Sequence, residues 1–347
     1  MSIFVVTGGA GFIGSHLSET LLNVGHHVRV VDDLSTGHRA QVDPRAEFIL
    51  GDIADRAVMN DAADRADGIF HLAAIASVQR SNEDWCGTHR TNQSGTVSVL
   101  DTARASGRIP VVYASSAAIY GDQGARAIQE GMRARPQTAY GVDKYGSELH
   151  AAVACHVHGV PTLGCRFFNV YGPRQDPKSP YSGVISIFTD RIINGQFVTL
   201  HGDGLQSRDF IHVSDVVRHL VLGMGMLQKE PQAMVLNVCT GHSTTIRGLV
   251  AALCSVARRH PGIEAGPARN GDIRISLGDP NKAIHVLGIN AEVDLEEGLR
   301  SLLPAPATAQ NPWAQPSLAR SDQRAITRWP ARMPNVALGA RENRTTR

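Results

Sequence analysis

Paired cysteines, grouped metal ligands, long apolar runs and a strong net charge are all missing from this 347-residue chain, and each absence removes a class of protein. The five cysteines, Cys86, Cys155, Cys165, Cys239 and Cys254, stand singly with no Cys-x-x-Cys pair, so neither a disulfide framework nor a zinc site is expected. Fifteen histidines are present, yet His16, the His26-His27 pair and His156 with His158 lack carboxylate or cysteine partners at ligand spacing. We expect no metal. No apolar run approaches the ~18 residues that span a bilayer, and Met1 runs straight into an apolar segment with no room for a signal peptide. A soluble, cytoplasmic protein with no membrane partner is the expectation. Charge is nearly balanced, 34 Lys and Arg against 32 Asp and Glu, for a net +2. Residues 304–347 carry seven arginines against Asp322 and Glu342, a surplus of five, so the body before them sits near −3. That body is a poor polyanion binder, and no nucleic-acid partner is expected.

What is present begins at the amino end. Ile3-Phe4-Val5-Val6 leads into Thr7-Gly8-Gly9-Ala10-Gly11-Phe12-Ile13-Gly14, after which Leu17, Leu21 and Leu22 recur at helical spacing. The order reads strand, tight turn, helix. Gly8 serves the turn, Gly11 lets a pyrophosphate lie against the main chain, and Gly14 lets the helix pack on the strand. Free N–H groups at the helix amino terminus then face the phosphates. A second strand, His27-Val28-Arg29-Val30-Val31-Asp32, brings a carboxylate about 20 residues after the turn, where a dinucleotide-binding unit places its ribose ligand. Asp32 there accepts from both ribose hydroxyls and repels a 2′-phosphate, which favours NAD over NADP.

Strands and helices continue to alternate: residues 46–50 as strand, 54–66 as helix, 68–74 as strand, 91–105 as helix and 109–114 as strand. This rhythm predicts an α/β, doubly wound, mainly parallel sheet with ligands at the carboxyl ends of its strands. Asp52 stands where it can reach an adenine amino group or cap the following helix, and the small Ala73-Ala74 ending leaves space for a flat cofactor. Ser115-Ser116 leaves the fifth strand, and Tyr140 and Lys144, four apart, share one face of the next helix, which runs to about His158. A phenol beside an ammonium is expected to titrate well below its free value of about 10 and to act as a base near neutral pH. Ser116 completes the set as a hydrogen-bond partner of the reacting oxygen.

With these residues in order, the chain resembles the extended short-chain dehydrogenase/reductase family, in particular its nucleotide-sugar epimerases and dehydratases, over about residues 1–303. The matching stretches are Thr7 to Gly14, Asp32, Asp52-Ile53, His71-Leu72-Ala73-Ala74, Ser115-Ser116, Tyr140 with Lys144, Arg166 to Arg174, Gly202 to Phe210, Asn237-Val238, Thr240-Gly241 and Gly271 to Arg274. The resemblance implies a Rossmann fold, with residues 1–165 mainly holding NAD and residues 166–303 forming a smaller α/β region, interleaved with the first, for a nucleoside diphosphate sugar. By resemblance the cofactor site comprises Gly8, Gly11, Phe12, Ile13, Gly14, Asp32, Asp33, Ser35, Thr36, Gly37, Asp52, Ile53, Leu72, Ala73, Ala74, Asn92, Tyr140, Lys144 and Phe168. The substrate site comprises Ser116, Asn169, Val184, Thr199, His201, Arg208, Arg269, Asp272 and Ser276. Asn169 matches a diphosphate contact, Arg208 and Arg269 the neutralising arginines, and Asp272 the uridine ribose ligand; guanidinium forks suit a diphosphate. For Arg208 the competing expectation is a charge pair with Asp209 on a surface turn.

One departure selects the reaction. The family's dehydratases carry an Asp-Glu pair directly after the catalytic Ser or Thr, and this chain has Ala117-Ala118 there. Neither alanine transfers a proton, so the expected reaction is 4-epimerisation of a UDP-sugar through a transient 4-keto sugar. Ser276 falls at the position resembling the size gate beside sugar carbon 2, which favours UDP-N-acetylglucosamine or a dual acceptor. A uronate 4-epimerase or decarboxylase of the same family is the alternative, and a non-catalytic NAD-binding sensor or scaffold the alternative of another class. A homodimer through the helix after Ser94 and the helix bearing Tyr140 is expected by analogy, with Val97, Val99, Leu100, Leu149, Ala152 and Val153 as apolar candidates. Residues 304–347, rich in Pro, Ala, Gln and Arg, are expected to be a disordered tail whose removal leaves activity intact.

Overall fold

The computed structural model describes residues 1–304 except 178, 180–182 and 269–271. The tail from residue 305 and Arg269 lie outside the described residues. Thirteen strands are described: β1 (Ile3–Thr7), β2 (His27–Asp32), β3 (Glu47–Leu50), β4 (Gly68–His71), β5 (Val111–Ser116), β6 (Thr162–Phe167), β7 (Asn169–Tyr171), β8 (Val198–His201), β9 (Ser207–His212), β10 (Ala233–Val238), β11 (Ser243–Thr245), β12 (Ile263–Gly266) and β13 (Ile275–Ser276). The helices are α1 (Phe12–Asn23), α2 (Arg56–Ala62), α3 (Val78–Glu83), α4 (Trp85–His89), α5 (Gly95–Ala105), α6 (Ala139–His158), α7 (Val184–Ile193), α8 (Val213–Lys229), α9 (Ile246–Ala257), α10 (Asn281–Leu287) and α11 (Leu295–Arg300).

Seven strands pair in parallel in the order β10-β6-β5-β4-β1-β2-β3, which confirms the expected doubly wound Rossmann sheet. Strand residues alternate between two cores because successive side chains point to opposite faces. Phe4 and Val6 join α1 and α8 on one face, whereas Val5 joins α2, α5 and α6 on the other. Both faces are covered, so the strands read as unbroken apolar runs. Burying each Phe, Leu or Val contributes about 1.5–3 kcal/mol. Strand β10 comes from the carboxyl-terminal part of the chain yet closes the amino-terminal sheet beside β6. Two small sheets lie apart from it, β11-β9-β13 with β7 on β9, and β12-β8, over a core of α7, α9 and α11.

Several boundaries differ from the sequence expectation. Strand β4 stops at His71, leaving Leu72 to Ala74 as loop, and β5 runs on to Ser116. Asp55, accepting from the Ala57 N–H, caps α2, and Asp52 instead accepts from Ala54 N at 2.8 Å. The segment expected as one helix from Thr91 opens with a π-helical turn over Arg90–Ser94. A π turn displaces the side chains it carries, and such turns cluster at functional sites.

Candidate active site

A cleft of about 800 Å³ runs along the carboxyl ends of β1 to β6 and on to β9 and β13. Its centre is the point where the sheet order reverses, between β1 and β4, where a doubly wound sheet opens a crevice. Gly8, with φ +70°, turns the chain out of β1, and an added Cβ there would lie 2.6 Å from Ala73 N. A Cβ on Gly14 would lie 2.2 Å from Gly8 O, so only glycine lets α1 approach the turn this closely. Gly11 precedes α1, and no side chain caps that helix. The cradle therefore presents open main-chain N–H groups to an anion, the chemistry that the pyrophosphate of NAD calls for.

At the end of β2, Asp32 is buried, and its oxygens accept from Ala10 N at 3.0 Å and Leu34 N at 2.9 Å. Burial raises its pKa above the usual carboxylate value, with the backbone bonds opposing that shift. Phe12, Ile13, Asp33, Ser35, Thr36, Asp52, Ile53, Leu72, Ala73 and Ala74 also line the cleft. Gly37 does not; it packs against Ala10 and the Asp32 carboxylate. Asn92 also lies outside the lining: it is 1% exposed, and its amide accepts from Ile75 N at 2.8 Å and donates to Ile75 O at 3.0 Å. It shapes the wall from beneath.

Ser116, Tyr140 and Lys144 meet in the middle of the cleft. Thr138 caps α6, accepting from Gly141 N at 3.1 Å, which sets the first turn so that Tyr140 arrives beside Ser116. The Ser116 hydroxyl lies near enough to the Tyr140 phenol to favour its ionised form. Lys144 Nζ donates to Ala114 O at 3.0 Å and stands 5.8 Å from the Tyr140 ring centroid. Burial raises the Tyr140 pKa, the Ser116 hydroxyl opposing it, which overturns the expected fall. The ammonium is spent on a carbonyl, so desolvation outweighs it. Desolvation also lowers Lys144 from 10.5 to about 8.

Beyond this centre the lining continues through Phe168, Asn169, Arg208, Asp272 and Ser276. Arg208 pairs with Asp272, and the Asp209 pairing falls away. Asp209 is fully buried and accepts from Thr240 Oγ1 at 2.7 Å and from the N–H groups of Thr240 at 2.9 Å, Gly241 at 3.0 Å and Gly278 at 3.3 Å. It ties β9 to the loops after β10 and β13, and so fixes Arg208 beside Ser276; sequence reading missed it, although a carboxylate alternating with the apolar residues of a strand was a visible sign. Val184, Thr199 and His201 lie outside the cleft lining: Val184 packs with the α7 core, Thr199 Oγ1 accepts from Arg191 at 3.0 Å, and His201 Nδ1 lies 3.1 Å from Pro267 O. Also missed was Arg174, which lines the cleft paired with Glu19.

Residues 4–239 match the family described as NAD dependent epimerase/dehydratase. The chain is 36% identical over 302 residues to the UDP-glucose 4-epimerase of Mycolicibacterium smegmatis, covering 85% of this chain and 95% of the relative. Among solved structures, the UDP-glucose 4-epimerase of Thermotoga maritima with UDP-glucose superposes with a TM-score of 0.82 at 36% identity, over 86% of this chain and 96% of that one. The UDP-N-acetylglucosamine 4-epimerase of Methanobrevibacter ruminantium in complex with UDP-N-acetylmuramic acid superposes with a TM-score of 0.81 at 31% identity, again over 86% and 96%.

Proposed function

The chain belongs to the NAD dependent epimerase/dehydratase family, and from that premise we infer that it is an NAD-dependent enzyme, a UDP-sugar 4-epimerase. The observation that carries the reading is the meeting of Ser116, Tyr140 and Lys144 in the cleft of the glycine cradle, with only Ala117 and Ala118 beside them. Among the described residues, the two positions after Ser116 carry no group that could expel water.

Tyr140 takes the proton of the sugar's 4-hydroxyl and returns it after the sugar has presented its other face. Ser116 holds the same oxygen and fixes its direction. Lys144, charged below about pH 8, stabilises the phenolate that forms. NAD, when bound, supplies the two-electron acceptor and donor for carbon 4. Gly8, Gly11 and Gly14 admit its pyrophosphate, and Asp32 takes its ribose. Arg208 holds the sugar's diphosphate, Asp272 the uridine ribose, and Asn169 lies along the diphosphate path.

Two features refine the substrate. Ser276 puts a small side chain on the cleft wall, which supports a dual acceptor of plain and N-acetylated hexoses. Among the described lining residues, every Lys, Arg or His already has a partner: Lys144 on Ala114 O, Arg174 with Glu19, Arg208 with Asp272, and His38 by Asp176. In this reading Arg208 is given over to the diphosphate, and the other three are held by Ala114 O, Glu19 and Asp176, so a carboxylate at sugar carbon 6 has none of these cations to itself, which favours neutral hexoses over uronates. The five free cysteines suit a reducing compartment, and we place the enzyme in the cytoplasm as a homodimer. Purified protein incubated without added NAD converts UDP-glucose and UDP-N-acetylglucosamine to their 4-epimers and leaves UDP-glucuronate unchanged. Accumulation of the glucuronate epimer alone would transfer the assignment to the uronate reading.

A further inference from the structure

Helix α6 carries Tyr140, Lys144 and Glu148 at successive four-residue steps, on one stripe facing the end of β5. Three consecutive residues of β5 receive them. Ser116 meets Tyr140, the Ala114 carbonyl meets Lys144 Nζ at 3.0 Å, and Ser115 Oγ donates to Glu148 Oε1 at 2.5 Å. The register partner of Ser115 on β6 is Arg166. Its guanidinium clamps the same carboxylate, Nε to Oε1 at 2.8 Å and Nη2 to Oε2 at 2.6 Å. Arg166 Nη1 also donates to Tyr120 OH at 2.8 Å, which donates to Asn237 Oδ1 on β10 at 2.6 Å.

Glu148 and Arg166 are 7% and 6% exposed, and neither lines the cleft. A buried ion pair adds little stability over an apolar pair of equal volume, because desolvation offsets the Coulomb attraction. Its particular contribution is direction: a carboxylate held by three donors from two strands fixes both the rotation and the height of the helix that carries it. Resting on the epimerase reading of this cleft, we propose that Glu148, locked by Ser115 and Arg166, is a positioning residue that sets the Tyr140 phenol against Ser116. It acts two turns from the chemistry and touches no substrate. A displacement of about 1 Å at a reacting group costs up to 10²-fold in rate, so a drift of α6 on an apolar cushion is enough to be measured.

The test compares wild type with E148L/R166M, which removes both charges at similar volume, and with S115A, which removes a single hydroxyl if the double variant folds poorly. The expected result for E148L/R166M is a fall in kcat of about 10²-fold with KM for the UDP-hexose within about threefold. S115A falls by about tenfold, the rate equivalent of one lost hydrogen bond. Ultraviolet difference titration against the same proteins carrying Tyr140→Phe reads the Tyr140 phenol directly, and its midpoint moves in both variants. Wild-type kcat together with an unmoved phenol midpoint in a folded variant would overturn the proposal, even if thermal stability drops. If wild type turns over no UDP-hexose, the functional reading fails separately, and the phenol titration still decides whether Glu148 positions Tyr140.

Discussion

Tyr140 was legible as a side chain but not as an acid. Its four-residue spacing to Lys144 placed both on one face, and they share the cleft. The direction of its pKa depended on burial and on what else Lys144 bonds, and neither is written in local sequence. With the phenol raised by burial, the resting enzyme keeps it protonated, and turnover needs the proton removed. Tyr140→Phe removes the transferable proton and lowers kcat by about 10²–10⁴-fold while leaving bound NAD in place, read by turnover and by nucleotide released on denaturation. The two shifts also fix the pH dependence. Deprotonation of the raised phenol makes kcat climb from neutral pH, and loss of the Lys144 ammonium, centred at about 8, withdraws the charge that steadies the phenolate. A kcat profile that climbs from neutral pH and flattens above about pH 8 follows; a level profile from about pH 6 to 9 would take both groups out of the rate-limiting step.

Among the elements, the turn from β1 into α1 has the least freedom. Gly14→Ala sets a Cβ 2.2 Å from Gly8 O, a backbone atom in a turn that cannot give way, so α1 must back off from the cradle. The purified variant is expected to lose NAD and to recover activity only in part when NAD is added. Gly107→Ala is the control: its φ of +91° strains the backbone, but nothing lies within 4 Å and it is remote from the cleft lining. It is expected to lower the melting temperature and to keep its cofactor; equal loss of NAD in both would attribute the effect to instability alone. This turn could be read from sequence because all its parts are adjacent. So could most of the cleft lining at the ends of β1 to β4, where each strand end supplies its own residues. What the sequence left unseen were partners farther along the chain: Asn92 is engaged by Ile75, Arg208 by Asp272, and Glu148 by Arg166, pairs that no window of periodicity or spacing contains.

For the whole molecule, α6 joins the site to an outer surface. Its inner stripe carries Tyr140, Lys144 and Glu148, while Val142, Leu149, Val153 and Val157 on the opposite side are 49%, 54%, 51% and 62% exposed. Val97 on α5 is 39% exposed, whereas Val99 and Leu100 are buried in the core of this chain and cannot reach a partner. Five aliphatic side chains on two neighbouring helices form an apolar strip larger than scattered surface residues require. We propose that a second copy rotated by a two-fold axis covers the strip with its own, in a four-helix packing. Wild type is then expected to sediment with twice the mass of one chain at micromolar concentration, and L149D/V153D as a single chain. Because the outer face of α6 steadies the helix whose inner face holds Tyr140, the monomeric variant is expected to retain NAD but to turn over more slowly. A wild type that sediments as one chain across this range would show that the apolar strip faces solvent or another kind of partner, and that the inner clamp on Glu148 alone holds α6 in register.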